Sequence, residues 1–577
     1  MAGICVTSTD MTASNDKPPS DVERIKTGSD YLRGTLVESL ADSITGAIRA
    51  DDTHISKFHG IYQQDDRDLR SERRKQKLEP AYSFMLRVRI PGGVVSTRQW
   101  LVLDDLATTH ANDTLRITTR QAVQYHGVIK RRLKDTVARI NSTLVDTLAA
   151  CGDVNRNVMC TATPELTNSH AQALKTAQQI SDHLTPRTTA YHEIWLDGKK
   201  IQGVSDKQGV SDKVEPIYGA SYLPRKFKIA VAVPPQNDVD VFTNDLGFIA
   251  ITANDDVVGY NVAVGGGMGM THGDPETWPR TASIIGFCTP DQVLSVAEAV
   301  VTTQRDFGNR SERKYARLKY TIDRYGLEWF REQVQERAGI TLSKERHYQF
   351  VANGDRYGWS PASENHWNLT LFVENGRVTD TAAKTLKTGV REIAETHRGE
   401  FRLTGNQNIV IANVAAADKQ HIESLARRHG LMAANHHALG MASMACVGFP
   451  TCGLAMAESE RYLPELLDRI HHQLEHHGLD DEAIVTRMTG CPNGCARPYV
   501  AEIGLVGKAP GRYNLYLGGS HAGDRINSLY RENIDEAQIL SSLDKLFASY
   551  AQQKQHYSGF GDFVIDARIV EESRPHG

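Results

Sequence analysis

Apolar and other residues alternate near the start of the chain. Phe84, Leu86, Val88 and Ile90 interleave with Ser83, Met85, Arg87 and Arg89. A period of two predicts a half-buried strand with Arg87 and Arg89 on one face, and Pro91-Gly92-Gly93 ends it in a turn. Elsewhere the period lengthens. Apolar spacings of three and four predict helices over 294–304 and 454–477. The second carries Leu463, Leu466, Leu467, Ile470 and Leu474, with Thr451 as N-cap, Cys452 at its start and Gly478 just past its end. Residues 21–79 read as mostly helical and heavily charged, with Asp65–Lys77 forming a solvated face or a clamp against the main body. Val204-Ser205-Asp206-Lys207 recurs as Val210-Ser211-Asp212-Lys213 and marks a polar loop.

The same pattern returns later in the chain. Leu115-Arg116-Ile117-Thr118 through Tyr125-His126-Gly127-Val128 matches Phe401-Arg402-Leu403-Thr404 through Ile411-Ala412-Asn413-Val414 at an offset of 286, which also carries Cys160 onto Cys446. Tyr260-Asn261 with Gly265-Gly266 matches Tyr513-Asn514 with Gly518-Gly519 at an offset of 253, so the second copy has lost a segment in between. An ordered series of this kind is an internal duplication of a β-rich unit with interleaved helices. Two pseudo-equivalent halves leave a cleft at their interface, a common place for a cofactor.

At 577 residues the chain holds roughly three to five domains. A net charge of −4 is no electrostatic footprint of a nucleic-acid binder. No apolar run reaches the length of a membrane span. The first 20 residues are polar and lack a signal pattern, so they read as a disordered leader to a cytoplasmic protein.

Cysteine use sharpens the picture. Cys446-x5-Cys452 and Cys491-x3-Cys495, 38 residues apart, gather four of the eight cysteines into two pairs. In a reducing compartment this favours ligation over disulfides. Four thiolates suit a [4Fe–4S] cluster. Structural zinc stays open, although x5 is wide for a zinc knuckle. The Gly490-Cys491-Pro492-Asn493-Gly494-Cys495 turn offers backbone N–H groups to cluster sulfurs.

Basic residues cluster in apolar or small surroundings: Arg87 and Arg89, Arg116 and Arg120, Arg156, and Arg225, Lys226 and Lys228. As a set within recurring units they suit a polycarboxylate cofactor or a small oxyanion. Gly266 permits close backbone approach to a flat ligand, and Gln407 brings an amide donor. His471, His472, His476 and His477 read as a surface cluster in the last turns of a helix.

Cys446-x5-Cys452 with Thr489-Gly490-Cys491-Pro492-Asn493-Gly494-Cys495 resembles the signature of the sirohaem-dependent nitrite and sulfite reductases. The likeness runs from about Arg24 to Asp562 and includes Phe58–Asp65 and Gly559–Phe563. It is greatest to the NADPH-dependent assimilatory sulfite-reducing branch. The resemblance implies an α+β, internally duplicated fold in which pseudo-twofold ferredoxin-like domains carry sirohaem-binding α/β domains. The expected divisions are a leader at 1–20, a charged segment at 21–79 that docks a partner, a ferredoxin-like domain of 80–150 plus 365–430, a first sirohaem-binding repeat at 151–364 and a second repeat at 431–577 with the cluster.

It implies further that Cys446, Cys452, Cys491 and Cys495 hold the [4Fe–4S] cluster, and that Cys495 is also the axial ligand of the sirohaem iron. Arg116, Arg120, Gln124, His126 and Arg225 match positions around the macrocycle, where Gly266, Gln407 and Asn493 are the further candidates. Arg87, Arg156, Lys226 and Lys228 match the anion-binding positions, and Lys228 tilts the substrate toward sulfite. The implied reaction is six-electron reduction of sulfite to sulfide. Gly265–Gly269 lacks the context of a nicotinamide fingerprint, so electrons must arrive from a partner, by resemblance a flavoprotein carrying FAD and FMN that oxidises NADPH. A ferredoxin-dependent sulfite or nitrite reductase and a zinc-stapled anion-binding protein are the alternatives.

Overall fold

A computed structural model describes residues 17–162, 167–198, 215–362, 365–432 and 436–573. Four five-stranded sheets stand out among them, in two related pairs. The first is antiparallel and runs Ile61–Asp65, Tyr82–Arg87, Val123–Val128, Leu115–Ile117, Arg377–Val378. Its counterpart runs Gly358–Pro361, His366–Leu371, Ile409–Ala415, Glu400–Leu403, Val94–Ser96. The first four strands of each follow the same order. The fifth is exchanged: 377–378 completes the first sheet and 94–96 the second. These edge strands span two and three residues, too short to show a period in sequence.

The exchange locks the halves together. Ser96 caps the helix Thr97–His110 reciprocally with Gln99, its Oγ accepting from the Gln99 N–H at 3.2 Å while Gln99 Oε1 accepts from the Ser96 N–H at 2.9 Å. That helix packs on Leu386–Thr396 of the other half, and its Trp100 meets Phe401 edge-on at 5.4 Å.

The other two sheets carry the repeats. One runs Met159–Cys160, Ile229–Ala232, Leu246–Ala253, Asp256–Val264, Ser283–Cys288; the other runs Met444–Ala445, Thr486–Thr489, Ile503–Ala509, Arg512–Leu517, Ser528–Ile534. In both, the first three strands are parallel and the rest antiparallel. One continuous apolar core joins the half-domain sheets to the first repeat, while the second repeat has its own, built on Leu463, Leu466 and Ile470. The cysteine-bearing repeat thus meets the rest of the chain across a boundary between cores.

Several boundaries move. Residues 21–79 hold only short helices, Asp21–Thr27, Leu36–Ala41, Asp52–Ile55 and Arg70–Lys75, and their strand Ile61–Asp65 belongs to the first sheet because Ile61 pairs with Leu86. Gly358–Pro361 likewise joins the second sheet. The helix expected over 454–477 is Leu463–His476, with Pro464 in its first turn; residues 451–462 form turns, so neither the Thr451 cap nor a helical start at Cys452 is present. Gly478 has φ +67° just past its end, as expected of C′. The helix expected over 294–304 spans Val293–Phe307. Residues 1–16 of the leader and the 204–213 tandem lie outside the described residues. No helix among the described residues is long and apolar enough to cross a membrane.

Candidate functional site

The parallel strands Met444–Ala445 and Thr486–Thr489 end side by side, and the loops that follow carry the four cysteines. The Gly490 N–H donates to Cys446 Sγ at 3.3 Å, and Asn493 Nδ2 lies 3.4 Å from Cys491 Sγ. Any side chain at Gly490 would come within 2.6 Å of the Ala457 carbonyl, which fixes glycine there. All four cysteines are free thiols; Cys491 is buried and Cys495 exposed.

Burial, then the neighbouring Cys495, pushes the Cys446 thiol up to about 12. Burial, then Cys446 and Cys495, raises Cys452 to about 11, and burial, then Cys495, does the same to Cys491. The thiols oppose one another's ionisation because they face one space. Such a set becomes a set of thiolates when cationic metal enters.

The duplication does not place these cysteines as residue identity suggests. Cys160 pairs with Val231 and Ala445 with Met488, and those partners lie 257 apart, as do the strands that follow them. Thr161, not Cys160, is therefore the counterpart of Cys446. Their hydrogen bonds agree: the Val233 N–H donates to Thr161 Oγ1 at 2.9 Å as the Gly490 N–H does to Cys446 Sγ. A slip of one residue flips a strand side chain to the opposite face, and Cys160 accordingly lies in the apolar core.

The basic residues form two groups. The first is a row across one sheet, in which Arg87 pairs with Gln124, Gln124 with Arg116, and Arg116 with Arg377. With its amide oxygen turned toward Arg87, Gln124 accepts from Nη2 at 2.6 Å and from Nε at 3.2 Å. Arg87 Nη1 also donates to Cys151 Sγ at 3.0 Å. Arg116 donates from Nε to Glu460 at 2.7 Å and from Nη2 to the Ala445 carbonyl at 2.9 Å. Arg377 binds the other Glu460 oxygen at 2.6 Å. Burial works against the Glu460 carboxylate, yet Arg116 and Arg377 outweigh it and hold the group below the usual range. His126, two residues beyond Gln124, is held well below its usual pKa by burial and Arg377, so it is neutral.

The second group faces the thiols. Arg120 donates to Asn244 Oδ1 at 2.6 Å, and burial, then Arg497, lowers it to about 9. Arg156 holds the Gly152 carbonyl at 2.7 Å. Burial, then Arg313, lowers Arg225 to about 10. Lys226 is lowered to about 7 by burial, then Arg225; Lys228 falls well below its usual value through burial, then Arg120. For both lysines the nearby Cys495 works in the opposite direction and favours the charged form. The carboxylates beside this cluster, Asp245 and Asp153, are paired with Arg317 and Arg313 at 2.9 and 2.8 Å, and cations left in excess suit an oxyanion.

Two candidates serve the protein itself. A side chain at Gly266 would come within 2.2 Å of the Phe242 carbonyl, so its glycine is demanded by the chain's own backbone. Gln407 is fully buried and its amide donates to the Ile117 and Asn375 carbonyls at 3.4 and 3.2 Å, leaving Oε1 without a partner. Arg89, expected beside Arg87, turns away to pair with Asp146 at 2.5 Å because the strand ends at Arg87. Cys151, Glu460 and Arg377 went unread in the sequence. The first meets Arg87 from 64 residues away and the other two depend on strand exchange, so none leaves a local signal.

Comparisons with known proteins agree with this fold. A family model described as "Nitrite/Sulfite reductase ferredoxin-like half domain" matches residues 76–143 and again 361–429. One described as "Nitrite and sulphite reductase 4Fe-4S domain" matches 175–342. That stretch contains a single cysteine, Cys288, so the match reads the scaffold of the first repeat, and the paired cysteines lie in the second. The chain is 56% identical over 559 residues to the Sulfite reductase (NADPH) hemoprotein beta-component of Shouchella clausii, covering 97% of each. It is 56% identical to that of Bacillus subtilis and 57% identical to that of Geobacillus thermodenitrificans, covering 96% of this chain and 97% of the relative in both cases. Among solved structures, the NirA protein of Mycobacterium tuberculosis shares the fold with a TM-score of 0.77 at 23% identity, over 96% of this chain and 97% of that one.

Proposed function

Since the chain belongs to the nitrite and sulfite reductase family, we propose that it is the sirohaem- and [4Fe–4S]-bearing component of an assimilatory, NADPH-dependent sulfite reductase, reducing sulfite to sulfide in the cytoplasm. The observation that carries this reading is the convergence of the cysteine loops behind the paired strands Met444–Ala445 and Thr486–Thr489, where the Gly490 N–H meets Cys446 Sγ at 3.3 Å and the buried Arg116 holds the adjoining Ala445 carbonyl at 2.9 Å.

The residues fit the cofactors. Cys446, Cys452, Cys491 and Cys495 would hold the cluster, with Cys495 shared by the sirohaem iron. The five-residue step between Cys446 and Cys452 is wide for a zinc knuckle, and four thiolates suit a [4Fe–4S] cluster. Arg120, Arg225, Gln124 and His126 would meet the macrocycle and its carboxylates. When bound, the two cofactors would relay, one at a time, the six electrons that take sulfur from +4 to −2.

The chain's own residues do the rest. Arg87, Arg156, Lys226 and Lys228 neutralise the anion and orient its oxygens. Three S–O bonds must break, and each departing oxygen needs protons. Lys226, lowered to about 7, can hold or release a proton at Nζ near neutral pH, whereas the guanidinium groups cannot. Electrons come from a flavoprotein partner carrying FAD and FMN. The 21–79 segment, tied to the cysteine loop by Arg67 at 2.6 Å from the Ala455 carbonyl, is the surface offered to it.

Purified protein should show a haem-type visible spectrum, about five irons per chain and acid-labile sulfide. It should reduce sulfite with NADPH through the flavoprotein faster than nitrite with ferredoxin. Colourless, iron-free protein would overturn the class of reaction. Turnover with reduced ferredoxin alone would overturn the partner.

A further inference from the structure

The offset of 257 that relates the strands of the two repeats also relates the loops after them, residues 233–240 and 490–497. It makes Asp240 the counterpart of Arg497. Both precede a short 3₁₀ turn, Val241–Thr243 or Pro498–Val500, and both lie in the left-handed region, at φ +45° and +55°. That conformation is uncommon for non-glycine residues and persists only where the surroundings enforce it.

These counterparts bind each other. Arg497 Nε donates to Asp240 Oδ2, which also accepts from Arg487 Nη1 at 2.6 Å, and all three side chains are buried. The rest of the Arg497 fork reaches the half-domains. Nη1 donates to the Thr119 carbonyl at 2.7 Å and Nη2 to the Gly405 carbonyl at 2.8 Å. Thr119 and Gly405 are themselves counterparts at the offset of 286. One guanidinium thus touches equivalent carbonyls of both halves and its own equivalent in the other repeat, which places it on the pseudo-twofold axis.

The symmetry breaks at the loop residue two positions earlier. Thr119 Oγ1 donates to the Cys495 carbonyl at 3.0 Å. Across the axis the counterpart of Cys495 is Asp238, and a side chain at Gly405 would lie 2.4 Å from the Asp238 carbonyl. The same contact is a hydrogen bond on one side and a bare glycine on the other.

We propose that Arg497, held by Asp240, and Thr119 are positioning residues for Cys495. They fix its backbone from both half-domains and from the first repeat, so the exposed thiol is set by the junction of four segments and not by the second repeat alone. The inference rests on the reading that Cys495 is a cofactor ligand. Neither Lys226 nor Lys228 takes part in the hydrogen bonds that join Arg497, Asp240, Arg487, Thr119 and Gly405, so loosening them should alter how the thiol meets its cofactor while leaving anion capture intact.

The test compares holoprotein of wild type with Thr119→Val, Arg497→Lys, Asp240→Asn and Cys495→Ser. Thr119→Val removes only the hydroxyl; lysine cannot bind both carbonyls in a fork. Each positioning variant should retain iron and acid-labile sulfide, shift the haem absorption band and its midpoint potential, and lower kcat roughly three- to tenfold at unchanged KM for sulfite. Asp240→Asn leaves two buried arginines facing a neutral amide and can fail to fold; Thr119→Val then decides. Wild-type spectrum, potential and kcat in both Thr119→Val and Arg497→Lys would overturn the proposal. Cys495→Ser with both cofactors and a wild-type spectrum would instead overturn the ligand reading beneath it.

Discussion

Arg116 and Glu460, 344 residues apart in sequence, form an ion pair of 2.7 Å, and Arg377 completes it at 2.6 Å. Cross-strand pairing sets the two arginines side by side, where like charges destabilise a sheet. Glu460 offsets that repulsion, and through Arg116 it also fixes the Ala445 carbonyl, one residue before Cys446.

Glu460→Gln should therefore destabilise the fold by about 3 kcal/mol, since it leaves two largely buried cations without a counter-charge. Urea unfolding of the variant would show a lower midpoint at an unchanged slope. A midpoint equal to that of the wild type would show that water already compensates the arginines.

Lys226 should make both activity and stability depend on pH. Its folded value of about 7 lies below the usual 10.5, owing to burial and Arg225. Below pH 7 both folded and unfolded chains carry the proton, and the folded chain bears the full cost of holding the charge. Between pH 7 and 10.5 the unfolded chain binds more protons, so stability rises with pH across that window. Lys226→Met should therefore stabilise the protein more at pH 6 than at pH 9. Wild-type sulfite reduction should fall as pH rises through 7, and the variant's residual activity should lack that fall. Equal stabilisation at both pH values would remove Lys226 as the titrating group.

Much of this was legible in the sequence. The offset of 286 reproduces both half-domain strand pairs, 115–117 with 401–403 and 123–128 with 409–414, because each pair lies in one unbroken matching stretch, 115–128 with 401–414, that is longer than either strand. The offset of 253 is equally real: Val264 and Leu517 close equivalent ladders, opposite Leu246 and Ile503. What failed was finer than the pattern. Two cysteines 286 apart suggested equivalence, but one residue fewer in the second copy puts Thr161 opposite Cys446, and only the hydrogen-bond ladder reveals it. The exchange of Val94–Ser96 and Arg377–Val378 is a tertiary event that leaves no local mark. The helix start at Leu463 was signalled by Pro464, which the apolar spacing alone does not weigh.

Arg87 owes its geometry to a planar fork. Gln124 takes two of its N–H groups and Cys151 a third. Arg87→Lys keeps the charge but cannot satisfy both neighbours. It should raise KM for sulfite about tenfold or more while iron content and the visible spectrum stay unchanged. Steady-state kinetics at several sulfite concentrations check this. A lysine variant with wild-type KM would show that charge alone suffices at this position.

Arg67 is the strap of the cysteine loop. It donates from Nη1 to the Cys452 and Ala455 carbonyls at 3.1 and 2.6 Å, donates its N–H to the Pro450 carbonyl at 3.3 Å, and lies 4.4 Å from the Phe449 ring centre. Beyond the loop the surface is open, with Leu454 at 70% exposure. Arg67→Ala removes both carbonyl contacts and the cation–π contact, which together restrain residues 449–455. Oxygen and solvent should then reach the metal centre more readily. Acid-labile sulfide followed in air should decline several-fold faster than in the wild type, with an anaerobic sample of the variant unchanged. Arg67→Lys retains the charge over Phe449 and one carbonyl contact, so its decline should fall between the two. Equal rates of sulfide loss in Arg67→Ala and wild type would mean that the loop holds its shape without the strap.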